Sequence, residues 1–173
     1  MQPGIPSIVD LAQAKPPQSL SNFQVRFVPT PPESDGVQFV SFELSCPICL
    51  AGAFQILELS ATLGPMGIVA RCRQCGREEQ VFNAATDGYD GSFGHLEFLK
   101  EGVSAAPLED DTGAALEAVQ VRAAFSYSIP LAELMEHAQD AHLDPQDLFD
   151  WFHLLTKTAD AEGWDWVWEF ECA

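Results

Sequence analysis

From Val37 to Leu44, the apolar residues Val40, Phe42 and Leu44 alternate with Ser41 and Glu43, the period of two that a half-buried strand requires. Similar patterning predicts strands over 23–28, 53–59, 79–82 and 95–99. Leu63-Gly64-Pro65-Met66-Gly67 is turn chemistry, and Ile68 to Arg71 reads as a strand returning along 53–59, so the two form a hairpin. Further on, Val119, Val121, Ala123 and Phe125 share one face of a strand over 118–125. Leu131, Leu134, Met135 and Ala138 then fall at i, i+3, i+4 and i+7, which predicts a helix with Pro130 in its opening turn. A second helix is expected next. Asp144 can cap it, Pro145 suits its first position, Leu148, Trp151, Phe152, Leu155 and Ala159 form a stripe, and Gly163 can end it. Last, Trp164, Trp166, Trp168 and Phe170 alternate with Asp165, Val167, Glu169 and Glu171, a strand with four large aromatics on one face.

These elements predict an α+β fold: an antiparallel sheet with an embedded hairpin, and a carboxyl-terminal helix pair followed by a final aromatic-rich strand. Residues 1–35 hold seven prolines and read as an extended arm with one strand at 23–28. Residues 36–100 form the cysteine-bearing β region, 101–118 an acidic connection, and 119–173 a strand-helix-helix-strand region packed with 36–100 as one domain.

Composition narrows the chemistry. The 173 residues carry 26 acidic against 8 basic side chains, a net charge of −18. A chain this acidic is a poor partner for phosphate backbones and acidic membranes. The charge is uneven: residues 1–100 hold 10 acidic and 6 basic groups, and residues 101–173 hold 16 and 2. Only Arg122 and Lys157 balance the carboxyl half, so its carboxylates face water or another molecule. Apolar runs are far below the roughly 18 residues needed to span a bilayer, and the amino end has no basic start before an apolar stretch. A cytoplasmic location is the expectation.

Four of the five cysteines stand as Cys46-Pro47-Ile48-Cys49 and Cys72-Arg73-Gln74-Cys75. A C-x-x-C turn directs two thiolates toward one point, and two such turns flanking a hairpin complete a tetrahedral site at one end of a sheet. Gly76 suits the sharp bend after the second pair. On these residues, the segment 44–83 resembles a zinc ribbon. The resemblance implies a metal-stapled β module without implying an activity. Disulfides are disfavoured without an export signal, a redox pair would sit at a strand-to-helix junction, and Fe–S ligation suits this spacing less well than zinc. With all four positions filled by protein, the expected zinc is structural.

Arg71, Arg73 and Arg77 surround the second turn; they read as compensation for the negative metal–thiolate centre, with a nucleic-acid patch as the alternative. Cys172 reads as a free thiol. The Gly88 to His95 loop, with Tyr89, Asp90 and His95, is either a pair of tight turns or a ligand site, and an enzyme acting through it is a further alternative. Glu133 and His137 stand at i, i+4 on a helix face that reads as solvated, and His142, before the Asp144 cap, and His153, on the polar side of the second helix, read as ordinary. The function expected is therefore non-enzymatic binding of another protein with a basic surface, as an acidic inhibitor or immunity-type protein does. Glu133, Glu136, Asp140, Asp147 and Asp150 are the candidate contact residues. A zinc-ribbon accessory factor in nucleic-acid metabolism is the second reading.

Overall fold

Strand alternation accounts for most of what the chain builds. A computed structural model describes residues 6–29, 36–61, 64–88, 103–110 and 112–172. Among the described residues, ten strands form two antiparallel sheets. The first has the order β1 (Gln24–Val28), β2 (Gln38–Ser45), β8 (Gln120–Tyr127), β9 (Trp151–Lys157), β10 (Asp165–Glu171). The second has the order β5 (Glu78–Asn83), β4 (Gly64–Cys72), β3 (Phe54–Ala61), β6 (Ser104–Pro107), and the short β7 (Glu117–Ala118) also pairs with β3. Residues directly opposite in register share a face. Val40 lies opposite Phe125 and Phe42 opposite Ala123, and Phe125 and Ala123 in turn lie opposite Phe152 and Leu154. This buried row packs on Phe54, Ile56, Ile68, Val81 and Phe82 of the other sheet. Phe82 marks the contact: its ring stacks on Phe152 at 4.7 Å and lies 5.7 Å from Trp168 and 5.3 Å from Phe170. One polar tie crosses the same interface, from Trp168 Nε1 to Glu58 Oε2 at 2.8 Å.

The β3–β4 hairpin forms, with Phe54 opposite Cys72 at its open end, but Gly64, Pro65 and Gly67, expected in the turn, are strand residues opposite Ala61, Ser60 and Leu59. The first helix of the expected pair is α2 (Leu131–Ala141), but Met135 is half exposed, and only Leu134 and Ala138 of its stripe are fully buried. The second helix does not exist. Asp144-Pro145 opens only a single 3-10 turn, Pro145–Asp147, and the chain then runs straight into β9. Trp151, Phe152, Leu154 and Leu155 satisfy both periods. Pairing to β8 on one side and β10 on the other makes this a central strand, which suits its aromatic and branched residues.

Three other segments differ from expectation. Within the proline-rich arm, Ile8–Ala14 is an α-helix, α1, closed by a capping box in which Ser7 Oγ accepts from the Asp10 amide and the Asp10 carboxylate accepts from the Ser7 amide. Its prolines lie outside it, at Pro6, Pro16 and Pro17, where they cost no helical hydrogen bond. The acidic connection contributes β6 and β7 to the second sheet, linked by a turn in which Asp110 accepts from the amides of Thr112 and Ala114. In β10 the register slips by one residue between Trp166 and Trp168, so the four aromatics do not share a face. Trp168 and Phe170 point into the core; Trp166 lies opposite Leu155 on the outer face. The expected strand over 95–99 falls outside the described residues. No helix among the described residues is long and apolar enough to cross a membrane.

Candidate metal centre

Each cysteine pair sits at the end of a strand. Cys46 directly follows β2, and Cys72 is the last residue of β4. The Cys46 amide donates to the Ala51 carbonyl at 2.8 Å, and the Leu50 amide donates back to Cys46 at 2.9 Å. Cys72 repeats the pattern, with its amide on Arg77 at 2.7 Å and the Gly76 amide returning to Cys72 at 2.9 Å. In both turns the residue after the second cysteine is left-handed, with φ of 61° at Leu50 and 75° at Gly76. Gly76 adopts this freely; Leu50 does so against its Cβ.

These turns bring the thiols together. Cys46 and Cys75 sulfurs are 3.5 Å apart, Cys49 and Cys72 sulfurs are 3.4 Å apart, and all four lie within 4.8 Å of one another. Every one is a free thiol. Metal–sulfur bonds of about 2.3 Å in a tetrahedron place sulfurs about 3.8 Å apart, so the cluster has the dimensions of a four-thiolate site. Its electrostatics suit thiolates at one ligand in particular. Burial raises the Cys46 thiol, but backbone N–H groups of Cys49 and Ile48 aimed at its sulfur bring it down to about 7. The Ala51 amide likewise favours the Cys49 thiolate and the Arg77 amide that of Cys75, but the neighbouring thiols and burial push both above the ordinary thiol value, Cys49 to about 12. Cys46 and Cys72 are buried, whereas Cys75 is exposed.

The expected site at one end of a single sheet is corrected in one respect: Cys46 ends a strand of the first sheet and Cys72 a strand of the second. An ion held by all four would bridge the two layers. The neighbouring arginines are engaged with carboxylates. Arg71 Nε donates to Glu78 at 2.6 Å and Nη1 to Gln55 at 3.1 Å, Arg73 pairs with Glu117 at 2.7 Å, and Arg77 pairs with Glu79.

The acidic contact residues separate into two groups. Glu133, Glu136 and Asp140 are exposed on α2, with Glu133 3.6 Å from His137. Asp150 is not on the surface. It is buried, and its carboxylate accepts from the Ser128 hydroxyl at 2.6 Å and from the Ser128 amide, which fixes the entry to α2 against the start of β9. Asp147 is half buried and accepts the Gln18 amide at 2.6 Å, anchoring the amino-terminal segment. Both carboxylates satisfy backbone donors of segments remote in sequence, which composition does not reveal. Cys172 is also buried, and burial beside Asp87 and Asp150 pushes its thiol up to about 12, a weak nucleophile. Of the Gly88–His95 loop only Gly88 lies within the described residues.

The reading of His153 as a polar-side helix residue is overturned. It is a buried strand residue on the outer face of the first sheet, 4.6 Å from Trp166, 5.7 Å from Phe39 and 6.0 Å from Trp151 between ring centroids. Period-two alternation of Trp151, His153 and Leu155 was the signal that could have found it. Comparisons of the chain with protein-family models, with curated proteins and with solved structures give no match.

Proposed function

We propose that the protein is a non-enzymatic, zinc-stabilised binding protein of the cytoplasm whose acidic surface engages a partner protein with a basic face. The closed four-cysteine cluster carries the first half of this reading. Four thiols at tetrahedral spacing favour zinc, and a full protein ligand set leaves no open position for a reactive water, so the ion's contribution is cross-linking the two sheets. Charge carries the second half. The carboxyl half holds 16 acidic groups against 2 basic ones, and Glu133, Glu136 and Asp140 stand exposed on one short helix. Such a surface speeds encounter with a basic protein and rejects acidic ones.

The engaged arginines weigh against the accessory-factor alternative, because guanidinium groups already paired with Glu78, Glu117 and Glu79 have less charge to offer a phosphate. Elemental analysis of the purified protein is expected to return about one zinc per chain. Capture from native extract, read by mass spectrometry, is expected to recover a basic protein whose association slows when Glu136 and Asp140 are reversed to lysine. Metal-free protein of undiminished stability, or an association rate unchanged by the reversal at low salt, would overturn the respective half.

A further inference from the structure

The register slip in β10 turns Trp166 away from the core, and 55% of the residue is exposed. Around it, the outer face of the first sheet carries Leu155 opposite Arg122 and Trp166, and His153 opposite Ala124 and Glu169. Beside the bulge lies a concavity of about 400 Å³ lined by Trp166, Val167, Trp168 and Glu169. Beneath Trp166 sits His153, whose side chain is only 7% exposed and whose two ring nitrogens have no hydrogen-bond partner; its Nδ1 is 3.7 Å from Glu169 Oε2, beyond bonding distance. Burial holds the imidazole toward its neutral form, so it does not cancel the Glu169 charge. Among the described residues, no lysine or arginine pairs with Glu169, whose side chain is 61% exposed. The same face shows what such a tryptophan takes, because the Arg122 guanidinium lies over the Trp164 ring at 3.8 Å.

We infer that Trp166 and Glu169 form a binding site for an arginine side chain of the basic partner, the guanidinium stacking on the indole and its fork reaching the carboxylate. This inference rests on the reading of a basic partner and names where on the molecule one of its residues is held. Chemistry selects the occupant. An apolar partner would bury Glu169 without compensation, and a second copy of a chain with net charge −18 would bring like charge against it. Lysine supplies charge without the planar fork that matches an indole face and a carboxylate together.

The test titrates hexa-arginine and hexa-lysine peptides, equal in charge, into the isotope-labelled full chain at low salt and follows the indole and imidazole resonances. Hexa-arginine is expected to perturb the Trp166 and His153 signals and to bind several-fold more tightly than hexa-lysine. Trp166→Ala is expected to weaken arginine-peptide binding about tenfold and remove the preference over lysine, since cation–π contacts reach about this size when desolvated. Trp166→Phe and Glu169→Gln keep a similar shape and are expected to lose part of it, with circular dichroism checking the fold of each variant. Equal binding of the two peptides, perturbations confined to α2, or self-association that Trp166→Ala abolishes would each overturn the site. Loss of peptide binding on reversing Glu136 and Asp140, with Trp166→Ala silent, would also overturn the site but leave the acidic-surface reading standing. Recovery of an acidic native partner would instead overturn that broader reading.

Discussion

The turn at Cys46–Cys49 and the turn at Cys72–Cys75 repeat one hydrogen-bond pattern and one left-handed closing residue on unlike side chains. The first is built from Pro47, Ile48 and Leu50, with Ile48 and Leu50 66% and 67% exposed; the second is built from Arg73, Gln74 and Gly76, with Arg73 tied to Glu117. Their places in the fold also differ. The first carries the chain from β2 in one sheet to β3 in the other, whereas the second joins β4 to its hairpin neighbour β5. What both conserve between them is the aim of two thiols and of the amides behind the sulfurs, which is what a tetrahedral ion requires. Leu50 holds an unfavourable φ because the bonds on either side of it, from the Cys46 and Leu50 amides, over-determine the turn.

If one ion joins the two turns, the largest effect comes from removing a ligand at either. Cys46→Ser and Cys72→Ser are each expected to abolish metal binding and to cost about 4 kcal/mol, the scale at which loss of a structural metal separates from ordinary substitutions. At about 2–4 °C per kcal/mol for a chain of this size, thermal melts should fall by about 10 °C, as should those of chelator-treated wild type. Unequal losses at the two cysteines would break the equivalence. The closing residues are expected to respond with opposite signs. Gly76→Leu should destabilise by about 1–2 kcal/mol, because it forces a Cβ into the left-handed region that Leu50 already occupies. Leu50→Gly should relieve that conformation and, after the greater freedom of glycine in the unfolded chain, stabilise by at most about 0.5 kcal/mol. Urea midpoints of the pair decide this, and a shared sign would mean that the two backbones are not equivalent. Smallest is Arg73→Ala. Its pair with Glu117 is exposed, so the expected cost is under about 0.5 kcal/mol, and fluorescence anisotropy with duplex DNA at physiological salt should show no binding for either protein.

Several features of the molecule were legible residue by residue. Val40, Phe42 and Leu44 place β2, Ile68 to Arg71 place the strand that returns along β3, and the spacing of Cys46, Cys49, Cys72 and Cys75 predicts that the four thiols meet, as they do. Misreadings arose where one pattern served two periods or one residue could be used in two ways. The residues from Leu148 to Leu155 fit a helical stripe as well as a strand, and the Asp144-Pro145 start signal is spent on three residues of 3-10 turn. Asp150 and Asp147 looked like surface charge because composition cannot report that Ser128 and Gln18 present unsatisfied amides to them.

By itself the sequence determined the quantities that depend on near neighbours: the alternation within strands, the hairpin between the cysteine pairs, the chemistry of the thiols and the imbalance of charge. These follow from backbone geometry and side-chain type over a few residues. Only the tertiary structure decided that the two turns belong to different sheets, that β9 pairs on both sides, and that one extra residue at Val167 sends Trp166 outward over a buried His153. Strand partnership and register depend on hydrogen bonds to segments tens of residues away, and a slip of one residue there exchanges the two faces of a strand without altering its local pattern.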